Sequence, residues 1–138
     1  MRILCLDVGD RKIGLSLSDR TGSIAQGLKL VRRSGDEQDV KELEQIVADH
    51  GVEMIVVGLP KNLDGSVGAR ARAVMELAGQ IEKTLRIPVV TWDERFSTNE
   101  AHRVFDSAGM SQKKRKPFLD VIASQIILQG YLDAQKGR

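Results

Sequence analysis

The sequence predicts an α/β fold: a five-stranded mixed sheet, three antiparallel strands and then two parallel ones, with helices on both faces in the order βββαβαβαα. Three observations carry this expectation. Up to Val31 the chain holds three short apolar or alternating runs joined by turn residues, the pattern of an antiparallel meander. Beyond them, wholly apolar runs alternate with helical periodicity, and strands separated by crossover helices run parallel to their neighbours. At 138 residues, with no internal repeat and no low-complexity linker, a single domain over 1–138 is expected.

Arg2 to Val8 is an apolar run broken only by Asp7, and Gly9-Asp10-Arg11-Lys12 connects it to the alternating strand Ile13 to Ser18. A turn at Thr21-Gly22-Ser23 leads to a third strand, Ile24 to Val31. Asp36 to His50 carries Val40, Leu43, Ile46 and Val47 at helical spacing and stops at Gly51. Met54 to Val57 is a buried strand ending in Gly58. Ser66 to Leu85 is a long helix with Val67, Ala71, Val74, Leu77, Ala78 and Ile81 on one face. Val89 to Trp92 follows Pro88 as another buried strand. Ser97 with Glu100 forms a capping box for a helix to about Ala108, ended by Gly109. Pro117 opens the last helix, with Phe118, Ile122, Ile126 and Tyr131 on one side.

Composition narrows the class. One cysteine excludes a disulfide framework, and no Cys/His cluster offers a structural zinc site. No signal-peptide pattern and no apolar stretch of membrane length is present, so a cytoplasmic protein without a membrane partner is expected. The net charge of +2 hides an uneven distribution. Asp36 to Glu53 sums to −6, whereas Ala101 to Arg138 sums to +4.

Asp7 is the most informative residue, an acid late in a run apolar on both faces, where an ionised carboxylate needs a positive partner. A salt bridge to Arg11 or Lys12 would serve as well as a functional role. Asp93-Glu94 closes another buried strand, at the end where α/β sheets place ligands. Alternation lets only one of the two face a shared site. Asp120 is a lone acid among Phe118, Leu119, Val121 and Ile122 in the first turn of the last helix, a position the helix dipole already favours. Together these carboxylates, with no soft ligand nearby, suit Mg²⁺ or Mn²⁺. Two such ions about 3.5–4 Å apart promote phosphodiester hydrolysis. The basic run Lys113-Lys114-Arg115-Lys116, by itself an ordinary solvated loop, precedes the last helix and beside such acids could grip phosphate, and Arg11, Lys12, Lys61, Arg70 and Arg72 are further candidates. Gly58 to Gly65, with Lys61 and Asn62, forms a loop between a strand end and a helix start whose amides favour an anion. The same residues are also ordinary turn formers.

Several separated motifs agree with one family. Leu6-Asp7-Val8-Gly9 with Lys12-Ile13-Gly14 and Ser18-Asp19, Gly58-Leu59-Pro60 through Asp64-Gly65, Asp93-Glu94-Arg95-Phe96-Ser97-Thr98, and Asp120-Val121-Ile122-Ala123-Ser124 occur in register. In that order the chain resembles the YqgF/RuvX family, relatives of RuvC-type Holliday junction resolvases with an RNase H-like fold. Phe96, Ser97 and Ser124 depart from the more usual Leu, Thr and Ala, and none is a ligand position. The resemblance implies catalytic, metal-holding acids at Asp7, Glu94 and Asp120, with Asp93 as the substitute for Glu94. It also implies a Mg²⁺- or Mn²⁺-dependent nuclease that matures the 5′ end of precursor 16S ribosomal RNA. Arg11, Lys12, Lys61, Asn62, Arg70 and Lys113 to Lys116 would grip nucleic acid, either structured precursor RNA or a ribosomal particle.

Two alternatives stand beside this reading. Resolving branched DNA calls for a two-fold dimer, and the sequence shows no dedicated dimer face, so a monomer or weak homodimer is expected. A non-catalytic nucleic-acid or nucleotide-binding module is the other, suggested by the Asp-x-Gly of the first hairpin. With three Phe, one Trp and one Tyr there is little surface for stacking bases, so recognition should rest on shape and backbone.

Overall fold

A computed structural model describes residues 1–94 and 118–136. Three strands come first, β1 (Ile3–Val8), β2 (Lys12–Ser18) and β3 (Ala25–Arg32), followed by helix α1 (Asp36–His50). Then come β4 (Met54–Leu59), α2 (Ala69–Leu85), β5 (Val89–Asp93) and α3 (Leu119–Lys136). The sheet has five strands in the order β3-β2-β1-β4-β5. The first three pair antiparallel, while β4 runs parallel to β1 and β5 parallel to β4. This is the mixed architecture expected. The capping box at Ser97 and Glu100, Pro117 and the basic run Lys113 to Lys116 lie outside the described residues.

Strand alternation divides the core in two. Leu4, Leu6 and Val8 of β1 join Ile13 and Leu15 of β2 beneath the apolar stripes of α1 and α2. Ile3 and Cys5 point the other way, to Ile127, Leu128 and Leu132 of α3. Trp92 of β5 meets Tyr131 of α3 edge to face there, with ring centroids 5.4 Å apart. Burial pushes the Cys5 thiol up to about 12, so it stays a neutral core group. Ser16 and Ser124, both buried, share a 2.9 Å hydrogen bond, and Ser124 Oγ donates to the Cys5 carbonyl at 3.0 Å.

Two expectations are corrected. The helix placed at Ser66 begins at Ala69, because the Asp64 carboxylate takes both the Ser66 N–H (2.9 Å) and its hydroxyl (2.6 Å), holding a turn instead. Val67 is therefore exposed and off the helical face. The last helix buries Ala123, Ser124, Ile127, Leu128 and Leu132 most deeply, while Ile122, Ile126 and Tyr131 are half-buried and Phe118 is exposed. It is apolar around much of its circumference, so periodicity marks no single side. Small residues decide, because they let the helix lie close on β2.

Arg33 is a tie that the acidic charge count obscured. Its Nε reaches Asp39 Oδ2 at 3.1 Å and its Nη2 reaches Asp36 at 2.6 Å, while Nη1 donates to the Gly9 carbonyl at 3.2 Å. The Ser34 N–H donates to the other Asp39 oxygen at 2.9 Å. Asp39 is 1% exposed, so two acids of the negative segment hold the first hairpin loop to α1. Removing the partner of a largely buried charge leaves it uncompensated, and Asp39→Ala should cost about 2–3 kcal/mol of stability in urea titration.

Candidate active site

Asp7 lies near the C-terminal end of β1, on the α3 face, and both neighbouring positions on that face are glycine. Gly14 of β2 is its register partner, and Gly58 follows Val57, the β4 partner of Leu6. A Cβ on Gly14 would collide with the backbone carbonyl of Asp120, so its absence lets the first turn of α3 rest on the sheet. A Cβ on Gly58 would collide with Glu94 Oε2 and stand 2.9 Å from Ile127 Cδ1. The bare floor over β4 therefore lets Glu94 reach across from the end of β5 towards Asp7. The Glu94 N–H donates to the Leu59 carbonyl at 3.2 Å, fixing where that crossing starts.

Alternation resolves the acidic pair. Trp92 packs on the α3 face, so Asp93 turns to the α2 face and Glu94 returns to the side of Asp7. Asp7 and Glu94 stand carboxylate to carboxylate, and Asp120 adds its negative charge to Asp7. Burial raises Asp7 above its ordinary value and the Asp120 charge adds to this, while contact with Glu94 and the Arg70 charge oppose it. Burial, then the charge of Asp7, push Glu94 up to about 8. Glu94 Oε2 is buried with no hydrogen-bond partner. Two carboxyls crowded away from water disfavour carrying two charges at once, which is the direction of both shifts. No three acidic, His or Cys side chains among the described residues stand close enough together to share a metal ion as they are placed.

Three of the expected cations, Arg11, Lys12 and Arg70, line a groove at the same sheet end. This groove, of about 470 Å³, runs along Gly9, Asp10, Arg11, Lys12, Arg70, Leu119 and Asp120. Lys61 and Asn62 sit in the loop after β4. Asn62 donates its side-chain amide to Ser66 Oγ at 2.9 Å, which gives that residue a turn-holding task. Asp19 has one too: it accepts from Ser23 N–H at 2.8 Å and from Thr21 Oγ1 at 2.7 Å, and backbone hydrogen bonds hold its carboxyl down to about 2. Lys113 to Lys116 lie outside the described residues. Sequence reading did not single out Arg32, the register partner of Lys12, which places two like charges side by side on β2 and β3. Nor did it assign Gly14 and Gly58 a role. Their signal was present, since both are glycines in otherwise apolar strand runs, which marks a close backbone approach.

A five-stranded mixed sheet of this order, with carboxylates gathered at the end of its central strand, defines an RNase H-like fold. Solved structures share it across the whole chain. RuvC of T. thermophilus in complex with a Holliday junction substrate superposes with a TM-score of 0.62 at 15% identity, covering 99% of this chain and 96% of that one. The Fowlpox virus resolvase with its junction DNA gives 0.63 at 9% identity, covering 98% and 99%. The chain belongs to the RuvX family, whose model, described as Holliday junction resolvase, matches residues 1–134. A relative from Caldanaerobacter subterraneus subsp. tengcongensis is 48% identical over 99% of both chains, and one from Thermoanaerobacter pseudethanolicus is 45% identical over 100% of both. Each carries the provisional name pre-16S rRNA nuclease.

A raised carboxyl means that the folded chain keeps a proton that the unfolded chain has already released. Stability without divalent ions should therefore fall as pH rises from about 4.5 towards about 8 and level off above that. Thermal melts in EDTA should show the fall in the wild type. Glu94→Gln should flatten it, and Gly58→Ala should too, since its Cβ displaces Glu94 from Asp7.

Proposed function

We propose that this chain is a metal-dependent endonuclease that hydrolyses phosphodiester bonds in structured RNA, acting in 5′-end maturation of precursor 16S ribosomal RNA in the cytoplasm. One observation carries the reading: a buried carboxylate oxygen with no partner, pressed against a second carboxylate. An all-oxygen donor set of this kind fits a hard cation, and the orphaned Glu94 oxygen is a lone pair that such an ion would satisfy. Asp7, Glu94 and Asp120 are the proposed holders of Mg²⁺ or Mn²⁺, in a two-ion arrangement. Bound there, the ions supply positive charge that polarises the phosphate and eases attack by water.

The chain's own residues do the rest. The groove along Arg11, Lys12 and Arg70 takes the phosphate backbone, extended by Arg32 and, by sequence, by Lys61 and Lys113 to Lys116. The carboxylates orient the attacking water, whose oxygen bonds to phosphorus as the P–O bond to the leaving oxygen breaks. That oxygen keeps the bonding electron pair and takes one water proton, and the new phosphomonoester releases the other. The names of the relatives support the RNA substrate. The family description favours a second reading, resolution of Holliday junctions, which needs paired nicks by a two-fold dimer.

Wild type and Asp7→Asn should be compared on precursor ribosomal RNA, single-stranded RNA and a four-way DNA junction, with and without Mg²⁺ or Mn²⁺. Metal-dependent RNA cleavage should fall at least 10²-fold in Asp7→Asn, with RNA affinity retained. Cleavage at the wild-type rate would refute the metal assignment. Paired nicks in the junction by a dimer, with RNA left intact, would favour the resolvase. With about five phosphates contacted, the log–log salt slope for single-stranded RNA should be near −3.5. Arg32→Ala should reduce its magnitude by about 0.7, as measured by titration at stepped salt.

A further inference from the structure

We propose that Arg70 is a catalytic cation, its guanidinium contacting the non-bridging oxygens of the phosphate being cleaved rather than only gripping the backbone. The proposal rests on the nuclease reading and assigns a residue to its chemical step.

Arg70 occupies the first turn of α2, the positive end of the helix dipole, where a cation is disfavoured and where no acid offsets it. It forms no ion pair within 4 Å among the described residues, although Asp10, Asp36 and Glu76 line the small cleft beside it. Its side chain is exposed, so packing does not explain its place. What it faces does. Arg70 lines the groove with Gly9, Lys12 and Asp120, and its charge acts on both Asp7 and Glu94.

The other proposed cations are placed differently. Arg11 and Lys12 share the groove, but of the three, Arg70 alone also lines the cleft beside Val8 and Gly9, so it reaches both sides of the loop that leaves Asp7. When Asp7 and Glu94 have their charge neutralised by bound ions, the guanidinium loses its attraction to them and is left beside the position where charge builds on phosphorus oxygens. A planar fork matches two such oxygens, a geometry that a lysine ammonium does not reproduce.

The test is a kcat-against-KM comparison of wild type, Arg70→Ala and Arg70→Lys on the RNA that the wild type cleaves, at saturating Mg²⁺. Arg70→Ala should lose about 10²–10³-fold in kcat, the usual consequence of removing one preorganised charge donor, with KM moving little. Arg70→Lys should recover part of the loss. Added guanidinium ion should accelerate Arg70→Ala and leave Asp7→Asn unchanged, a rescue that a structural defect would not show. Thermal melts should match the wild type for both variants. A kcat within roughly threefold of wild type, or a loss that guanidinium leaves unmoved, overturns the assignment. Either result leaves the nuclease reading standing, because wild-type cleavage remains Asp7-dependent. A wild-type chain with no Asp7-dependent cleavage of RNA or junction DNA overturns both.

Discussion

Two missing side chains set the geometry on which the rest depends. Asp7 sits on a central strand, and the positions beside it on the same face, Gly14 and Gly58, present no Cβ. One vacancy admits the backbone of α3 at Asp120 and the other admits the carboxylate of Glu94. Glu94 therefore meets Asp7 over the sheet and the first turn of α3 brings Asp120 to the same end, with no positive-φ backbone at any of the three. Among the described residues the positive-φ positions are Arg86 and the glycines 22, 35, 51 and 65, and none belongs to this set. Convergence here comes from space rather than from backbone contortion.

That convergence costs stability. Gathering like charges away from water raises Asp7 and Glu94 and leaves one oxygen unsatisfied. The fold tolerates this because the site lies at one end of a sheet whose two faces are otherwise covered by apolar side chains. Arg33 adds rigidity next door. By holding the Gly9 carbonyl, Asp36 and Asp39 together, it fixes the loop that leaves Asp7 and presents Arg11 and Lys12. Folded this way, the chain would be stabilised by a cation bound among these acids, which would relieve repulsion the fold already contains.

Most of the fold was legible from periodicity alone. Turn residues after Ser18, the stop at Gly51 and the apolar run at Met54 placed β2, α1 and β4 within a residue or two of where they stand. What stayed hidden depended on tertiary contact. Asp64 outcompeted the helix for Ser66, and nothing in the apolar run of α3 marked which side would meet β2. Asp39 was readable in principle, being four residues before Leu43 on the buried stripe of α1, but it entered only the charge sum of the acidic segment. At the site, the choice of Glu94 over Asp93 followed from strand alternation only once Trp92 was known to face α3. Asp120 owes its position to Gly14, a contact between residues far apart in sequence.

The near-neutral total charge also has a spatial meaning. Glu37, Glu42, Glu44 and Asp49 are exposed on α1, which covers the face opposite α3. Arg11, Lys12, Arg32 and Arg70 stand at the strand end beside the carboxylates. A polyanion approaching the α1 side meets repulsion, and one approaching the strand end meets attraction, so the field orients an encounter that the net charge alone would leave weak. Steering of this kind acts over about a Debye length, roughly 8 Å at physiological salt, comparable to the width of two adjacent strands. It can therefore direct a phosphate backbone across the hairpin end but cannot read sequence within it. Trp92 and Tyr131 pack against each other inside the α3 face, which leaves Phe118, 54% exposed and next to Leu119 of the groove, as the exposed aromatic ring there among the described residues. On the proposed reading, one ring offers little stacking, and discrimination would rest on backbone shape and on where along it the bare floor beside Asp7 can be reached.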